Sequence, residues 1–383
     1  MPVRPAPRAL ADELAARRGR PVTEARTLPG HWYADPDHHT LEMDRVFGRS
    51  WVGVAGTDEV EKPGSYLATT VADGVPVVLV RGDDGVLRAF LNVCRHRGAP
   101  VAEGCGAARA LSCPYHAWVF RLDGTLARAT GVGEPVGFEA DDYGLVPVAV
   151  TTFARSVMVN LDPDAAPFDP GPLVDGLAPY RLEDLELGRT DRYEAAFNWK
   201  VLVENYSENY HTPFVHSQLI AAGYEYPMET TGDVVFAWDR PLAPRDASEE
   251  ALAEARPGGP GWDGVAGDLS PESFNNGSYL TVFPNTMVSV FAGFAATFRL
   301  TPTGPRTTVV ERDYLWHPSV GQERRDADYE ATKAVVLQDL AICEAVQRTY
   351  DGGLSADGVL STEHERGVHH VHQLLFASLS TSD

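Results

Sequence analysis

Cysteine is scarce in this sequence, with four residues among 383, at positions 94, 105, 113 and 343. A scaffold held together by disulfides is therefore excluded, because such scaffolds are short and rich in cysteine. At this length two domains are expected, each large enough to bury a hydrophobic core. Two of the cysteines lie within three residues of a histidine, so metal binding is favoured over disulfide formation.

Long apolar runs are also missing. No segment approaches the roughly 18 apolar residues of a membrane-spanning helix. The first ten residues, MPVRPAPRAL, contain no apolar core of a signal peptide. Arg17 and Arg18 form a pair, but the apolar stretch of a twin-arginine export signal does not follow them. We therefore expect a cytoplasmic protein that does not act at membranes.

Basic residues are outnumbered by acidic ones, 32 to 54, which gives a formal net charge of −22 at pH 7. A chain of this charge is repelled by phosphate backbones and anionic lipids, so nucleic acids and membranes are not expected as partners. The excess of acid chiefly indicates solubility. It also gives a weak preference for cationic substrates or basic redox partners.

The pattern of residues changes along the chain. Residues 1–45 form an arm rich in proline and arginine, with one short predicted helix at 10–18, which we expect to pack on the C-terminal domain. Residues 46–162 contain short β-type runs separated by turn residues, which is typical of a small all-β domain. A Pro- and Asp-rich stretch at 161–173 marks the predicted boundary with a third segment, 163–383.

The C-terminal segment mixes helical and strand-like periodicity. Helices are predicted at 198–212 and 326–350, with strand-like runs at 233–238, 278–300 and 307–316. The fold class expected for the whole chain is α+β, with a small all-β domain and a larger domain that contains both helices and strands. The Gly- and Pro-rich segment 255–264 is interpreted as a surface loop.

The first motif consists of Cys94-x-His96 and Cys113-x-x-His116, separated by 16 residues. Each half supplies one thiolate and one imidazole, which is the ligand set of a [2Fe-2S] cluster with two Cys on one iron and two His on the other. Because neutral imidazoles replace two thiolates, such a cluster has a raised reduction potential and accepts electrons readily. The alternative is a Cys2His2 zinc site, but there two cysteines usually precede two histidines, and the interleaved order favours the cluster.

A second group of carboxylates and histidines lies further along the chain. On a helix, Glu204, Glu208 and His211 stand at i, i+4 and i+7 and share one face. Pro213 is expected to end that helix and to let His216 fold back toward His211. Two histidines and one carboxylate complete a 2-His-1-carboxylate triad, which leaves positions open on Fe(II) for dioxygen and substrate.

Asp339 is the candidate for the third ligand of that triad. Its helical neighbours form an apolar stripe: Val335, Val336, Ile342, Cys343 and Val346. A carboxylate in such a stripe is costly unless it is paired or bound to a metal. A buried ion pair, or a helix rotated from this register, is the alternative interpretation. Other acids nearby face more polar surroundings and are weaker candidates: Asp326, Asp328 and Glu344.

The two cysteine–histidine pairs, followed by Asn198-Trp-Lys and by a carboxylate just ahead of His-x4-His, resemble the Rieske non-heme iron oxygenases, in particular their catalytic α subunits. The resemblance extends from near Trp51 to His372. It implies a larger domain of helix-grip type around an antiparallel sheet. It implies these ligands of the [2Fe-2S] cluster: Cys94, His96, Cys113 and His116. It implies these ligands of a mononuclear Fe(II): His211, His216 and Asp339.

Glu208 matches the family position of an acid that links an iron-bound histidine to a cluster histidine of the neighbouring subunit in a ring of three. The resemblance therefore implies a homotrimer. The commonest pattern has Asp at this position, and Glu is more similar to the branch that oxidises quaternary ammonium compounds such as choline, glycine betaine and carnitine. The alternative branch hydroxylates aromatic rings, and the aromatic-rich segment 278–316 is compatible with either.

The resemblance implies an oxygenase component that uses O2 as co-substrate to hydroxylate a small molecule, with N-demethylation where the hydroxylated carbon adjoins nitrogen. Electrons would come from NAD(P)H through a flavin and iron–sulfur reductase, directly or by way of a ferredoxin. Two rivals follow from the residues alone. A non-catalytic Rieske electron carrier explains residues 51–160 but leaves the C-terminal histidines unused, and a zinc-stabilised binding protein is more distant.

Overall fold

The computed structural model describes residues 8–216, 224–225, 227–238, 240–241, 269, 277–354 and 358–380. The surface loop predicted at 255–264 lies outside these ranges. The chain divides into two compact units, one running from Phe47 to Phe168 and the other formed by the residues on either side of it. Among the described residues, no helix is long and apolar enough to cross a membrane.

The unit from Phe47 to Phe168 is built mainly from antiparallel strands. The strands are β1 Val52–Gly56, β2 Ser65–Val71, β3 Val75–Arg81, β4 Leu87–Leu91, β5 Cys105–Ala107, β6 Leu111–Ser112, β7 Val119–Phe120, β8 Leu126–Arg128, β9 Pro147–Phe153 and β10 Ser156–Asn160. Seven of them form a sheet in the order β1-β10-β9-β4-β3-β2-β5, and β6-β7-β8 form a smaller sheet. The predicted small all-β domain is confirmed.

Strand β3 lies inside the larger sheet, and its residues 77–80 are fully buried. The turn after β3 contains Gly85 at φ +75°, a left-handed conformation that glycine adopts without strain. Val78 and Val80 pack in the same hydrophobic cluster as Cys94 and Cys113. The sheet therefore supports the two loops that carry the first motif.

The other unit combines a seven-stranded antiparallel sheet with helices. Its strands are β11 Glu186–Ala195, β12 Tyr224–Glu225, β13 Met228–Thr231, β14 Val234–Trp238, β15 Arg240–Pro241, β16 Ser278–Val282, β17 Thr286–Phe291, β18 Phe294–Gly304 and β19 Thr307–Trp316. The sheet has the order β11-β19-β18-β17-β16-β14-β13. Its helices are α1 Arg8–Arg17, α2 Pro36–Glu42, α3 Trp199–Tyr206, α4 Thr212–Val215, α5 Gln322–Asp351 and α6 Arg366–Leu379.

The long helix α5 packs on one face of this sheet. The ring of Tyr329 on α5 meets the ring of Tyr314 on β19 edge-on at 5.0 Å. Helix α3 packs against α5 in turn, where the thiol of Cys343 lies 3.8 Å from the carbonyl oxygen of Val201. A helix held against an antiparallel sheet is the helix-grip arrangement that was expected, so the predicted α+β fold class is confirmed.

The N-terminal segment packs on helix α3 through a buried ion pair. Lys200 Nζ lies 2.6 Å from Glu42 Oε1, and the two side chains are 1% and 0% exposed. The indole N–H of Trp199 donates to the other oxygen of Glu42 at 2.9 Å. Burial lowers the pKa of Lys200, and the Glu42 carboxylate opposes that effect. The pair holds the N-terminal segment to the helix that leads into the second motif.

We predict that Lys200→Met destabilises this unit by about 3–5 kcal/mol, because it leaves the Glu42 carboxylate buried without its cation. Urea unfolding followed by tryptophan fluorescence measures the change as a lower midpoint. Arg192→Met is the control, since Arg192 is exposed and its ion pair with the half-buried Glu311 should contribute at most about 1 kcal/mol. Equal midpoints for the two variants would contradict the prediction.

Candidate metal centres

Two loops of the same backbone design carry the first motif. In each loop, the backbone N–H of the cysteine donates to the carbonyl of the residue five positions further on. The backbone carbonyl of the cysteine accepts from the N–H of the residue four positions further on. These bonds are Cys94 to Ala99 at 2.8 Å, Gly98 to Cys94 at 2.9 Å, Cys113 to Trp118 at 2.8 Å and Ala117 to Cys113 at 3.1 Å. The fifth residue of each loop is left-handed, with φ +80° at Gly98 and +53° at Ala117. Each loop is thus closed locally around its cysteine.

The side chains of the first motif form two pairs. Cys94 and Cys113 are both buried, and burial together with the adjacent Cys113 thiol raises the pKa of Cys94. The imidazole rings of His96 and His116 lie 4.6 Å apart. Cys105, in contrast, is exposed on strand β5. The structure therefore brings the four predicted residues together as a thiol pair and an imidazole pair.

The histidine pair has an unsatisfied nitrogen. His116 Nδ1 is buried and has no hydrogen-bond partner among the described residues. An unpaired buried polar atom costs about 1–3 kcal/mol, which coordination to a metal would offset. The ring of His96 is held flat against Trp118, at 4.9 Å and 8° between planes. Paired thiols and paired imidazoles fit a [2Fe-2S] cluster with Cys on one iron and His on the other.

Helix α3 ends earlier than the sequence pattern predicts. Its last residue is Tyr206, and the Ser207 N–H turns back to the carbonyl of Glu204 at 3.1 Å. The Glu208 carboxylate accepts the backbone N–H groups two and three residues further on. Because this local capping competes with another helical turn, Glu208 and His211 lie beyond the helix. The prediction that they share a helical face with Glu204 is wrong.

His211 and His216 stand at the two ends of the one-turn helix α4. Pro213 lies in the first turn of α4. Backbone N–H groups in a first turn have no acceptor within the helix, so the N–H that proline lacks is not needed there. It therefore begins this turn and does not end the longer helix, contrary to our prediction. The single turn brings the two imidazole rings to 5.2 Å from each other.

Asp339 on α5 completes the second group. Its oxygen Oδ1 lies 3.0 Å from His216 Nε2 and 3.4 Å from His211 Nε2. The three potential ligand atoms lie within 4.8 Å of one another. Oδ1 is buried and lacks the geometry of a hydrogen bond to either ring. Two imidazoles and one carboxylate that converge in this way fit a 2-His-1-carboxylate iron site.

The apolar stripe around Asp339 is shifted from the predicted one. Ile342, which was expected within it, is 40% exposed, whereas Val336, Leu340 and Cys343 are buried. Asp339 consequently lies at the edge of the buried face of α5, where its carboxylate reaches the histidines. The apolar stripe led to the choice of Asp339 as a candidate, although Ile342 was wrongly assigned to the stripe.

The charges of this group stabilise one another when no metal is bound. Burial lowers the pKa of His211, but Asp339 and Glu208 outweigh burial and raise it to about 9. Burial raises the pKa of Asp339, but His211 and His216 outweigh it and lower the pKa. Asp339 and His211 thus each favour the charged form of the other. A metal ion would take the place of the imidazole proton.

Both histidines are oriented by a second side chain. His211 Nδ1 lies 2.5 Å from Glu208 Oε1, and His216 Nδ1 lies 2.8 Å from Gln338 Oε1. Because these oxygens accept a hydrogen bond from Nδ1, each ring turns Nε2 toward Asp339 and leaves it available to a metal. Sequence reasoning missed Gln338. Its position next to Asp339 was visible, but nothing in the sequence linked it to His216.

We predict that Gln338→Leu weakens iron binding at this site by about 10–100-fold, because His216 loses the acceptor that fixes its ring and tautomer. Dialysis against a graded series of chelator concentrations, followed by iron analysis, measures the effect. Gln322→Leu is the control, since Gln322 bonds Asp326 at the exposed start of α5. If the two variants retain iron equally, Gln338 does not support the site.

Two domain families match the chain. One is the Rieske [2Fe-2S] domain, matched by residues 50–145. The other is the ring hydroxylating alpha subunit (catalytic domain), matched by residues 182–380. The chain belongs to the Rieske oxygenases. The first match contains the four residues of the thiol and imidazole pairs, and the second contains His211, His216 and Asp339.

Similar proteins agree with this assignment. The oxygenase is 31% identical to the glycine betaine monooxygenase oxygenase subunit of Chromohalobacter salexigens, over 94% of this chain and 88% of that protein. It is 31% identical to the carnitine monooxygenase oxygenase subunit of Escherichia coli, over 92% of this chain and 93% of that protein. A crystal structure of a quaternary ammonium Rieske monooxygenase in complex with L-carnitine superposes with a TM-score of 0.77 and 26% identity, covering 98% of this chain and 99% of that chain.

The predicted family, enzyme class and cofactors are confirmed by these matches. The chain is an oxygenase component that carries a [2Fe-2S] cluster and a mononuclear iron. It uses O2 and electrons from a reductase to oxidise a small molecule. The non-catalytic electron carrier and the zinc-binding protein, which were the rival interpretations, do not have the catalytic domain found here.

Proposed function

We propose that this Rieske oxygenase oxidises a quaternary ammonium compound by hydroxylating a carbon bound to its nitrogen. The observation that supports this most is the likeness, at 31% identity over more than nine-tenths of the chain, to two oxygenase subunits named for glycine betaine and carnitine. When the hydroxylated carbon is a methyl group, the C–N bond of the resulting N–CH2OH group breaks, formaldehyde and a proton leave, and a tertiary amine remains, so that the reaction is an N-demethylation.

The proposed ligands follow the geometry of the two sites. The cluster would be held by Cys94, His96, Cys113 and His116, and the mononuclear iron by His211, His216 and Asp339. Bound there, the cluster would supply electrons one at a time and the iron would activate dioxygen. The domain limits we propose are 1–45, 46–162 and 163–383, which the boundaries of the compact units at Phe47 and Phe168 support.

Glu208 is proposed as the bridge between subunits. Its Oε2 accepts two backbone N–H groups and its Oε1 accepts one hydrogen bond from His211. A carboxylate oxygen has two lone pairs, so Oε1 is able to accept one more donor, such as the ring N–H of a cluster histidine. In His116 the buried Nδ1 fits the cluster iron, which leaves Nε2 to donate outward.

The assembly we propose is a homotrimer in which each cluster serves the iron of a neighbouring subunit. Exposed aromatic side chains flank both ends of the proposed bridge. Tyr210 is 51% and Phe214 is 77% exposed beside His211, and Tyr115 is 55% exposed against the ring of His116. Exposed aromatic residues of this kind are enriched at interfaces between proteins.

Hydroxylation of an aromatic ring is the second candidate. It is supported by the name of the matched catalytic family. It is also supported by a group of aromatic side chains between the end of helix α3 and the sheet. In that group Tyr206 contacts Tyr279 and Phe298 edge-on, at 6.5 Å and 5.8 Å. Such rings can line an apolar site or face a cation.

Oxygen uptake by the oxygenase, reconstituted with a reductase and NAD(P)H, tests the proposal. We expect uptake coupled to product formation with quaternary amines and none with simple aromatic hydrocarbons. Coupled turnover of aromatic hydrocarbons alone would contradict it. Iron analysis is the companion measurement, since the oxygenase requires about three irons per chain and an electron carrier about two.

A further inference from the structure

Arg312 is a buried cation on strand β19, at 4% exposure. Its guanidinium lies over the ring of Phe298 at 4.5 Å and over that of Tyr314 at 4.9 Å. One of its N–H groups donates to the carbonyl of Thr332 at 3.4 Å, and Nε has no partner among the described residues. The other buried arginine of this sheet, Arg299, is paired with Asp313.

No carboxylate in the described part of the chain forms an ion pair with Arg312. A buried charge without a counter-charge is strongly unfavourable. Burial lowers the pKa of Arg312, against the opposing effects of Tyr314, Tyr206, Tyr193 and Asp339. The one carboxylate among these groups, Asp339, belongs to the proposed iron site.

Arg312 and the iron site share one face of helix α5. Thr332, which accepts its hydrogen bond, precedes Asp339 by seven residues. Seven residues make about two helical turns, so both side chains lie on one side of α5, about 10 Å apart along its axis. The guanidinium therefore packs among aromatic rings, beside the helix that carries Asp339.

Metal binding would increase the need for a counter-charge. A divalent ion held by His211, His216 and Asp339 takes up the charge of Asp339, which is the carboxylate whose field reaches Arg312. The guanidinium, which forms no ion pair with a described carboxylate, would then also lose the effect of the Asp339 charge. A planar guanidinium matches a carboxylate through two parallel hydrogen bonds.

Resting on the proposed function, we propose that Arg312 binds the carboxylate of the substrate. The oxygenase then acts on betaines, which carry both a quaternary nitrogen and a carboxylate, in preference to quaternary amines without a carboxylate. This deepens the substrate class and reverses the weak preference for simple cations that the net charge of −22 suggested. Arg312 is a specificity residue that touches the substrate and takes no part in oxygen chemistry.

The test compares glycine betaine and γ-butyrobetaine with choline in the reductase-coupled assay. We expect the better betaine to exceed choline at least tenfold in kcat/KM. Arg312→Gln should raise the KM for betaines by about 10–150-fold and so lower the preference for betaines over choline by a similar factor. Arg312→Lys, which keeps the charge but loses the planar fork, should recover part of the loss. Iron content and the visible spectrum show whether each variant is intact.

A second measurement needs no variant. In the wild-type enzyme, short carboxylates without a nitrogen should inhibit competitively, and the matching alcohols should not. The proposal is overturned if choline is preferred, if intact Arg312→Gln keeps the KM for betaines, or if the alcohols inhibit as well as the carboxylates. None of these results would contradict the proposed oxidation of quaternary amines. The proposed function itself fails only if no quaternary amine is turned over.

Discussion

Asp339→Ala should abolish turnover and release the mononuclear iron while the cluster remains. The substitution removes the one anionic ligand of the group, and the two neutral imidazoles of His211 and His216 that remain bind a divalent ion weakly. Iron should fall from about three to about two per chain. The visible spectrum should be unchanged, because the cluster loops fold locally in a different compact unit. Iron analysis and absorbance of the same sample measure both results.

Asp326→Ala is the matched control for this prediction. Asp326 lies on the same helix and its carboxylate accepts a hydrogen bond from the exposed Gln322 at 2.8 Å. It should retain all of its iron and its activity. If Asp339→Ala retains three irons, Asp339 is excluded as a ligand, and the pairing seen with the two histidines is then a buried ion-pair network without a metal.

The sequence was sufficient to predict that Cys94, His96, Cys113 and His116 lie together, because the information is local. Each loop closes on itself through hydrogen bonds between residues four and five apart, so the spacing of Cys94 and His96 already reflects the geometry. Asp339 was predicted for a different reason. A carboxylate among apolar neighbours on a long helix needs a partner, and α5 is long enough for its periodicity to be clear.

The remaining features depend on contacts that periodicity does not encode. Helix α3 was extended too far because the Glu208 side chain caps the following turn, and a helical pattern cannot show that competition. Gln338 orients His216 from 122 residues away. Arg312 could have been noticed from strand alternation, since it stands two residues before Tyr314 on a buried face, but its lack of a counter-charge is a property of the folded chain.

Glu208→Gln should keep both metals and lose coupled turnover by about 10–100-fold or more. The amide can still accept a hydrogen bond through its oxygen, so His211 stays in place. It loses the negative charge that stabilises the two histidine donors at the proposed bridge, and its NH2 group cannot accept the backbone N–H groups that Oε2 accepts. Reduced enzyme mixed with O2 and substrate should therefore show slow reoxidation of the cluster. Glu204→Gln is the control, because Glu204 bonds Tyr33 and His372 and not His211.

If the protein forms the proposed homotrimer, mixed trimers test whether the electron crosses between subunits at Glu208. A chain with Asp339→Ala has a cluster but no mononuclear iron, and a chain with Cys94→Ser has the reverse defect, so neither is active alone. If the cluster of one subunit serves the iron of the next, co-expressed and co-purified mixtures of the two chains should regain activity. In some neighbouring pairs, the Asp339→Ala chain then supplies the intact cluster and the Cys94→Ser chain supplies the intact iron site. Adding Glu208→Gln to the Cys94→Ser chain should abolish that recovery. Mixed trimers without activity would place electron transfer within a single chain and remove the bridging role of Glu208.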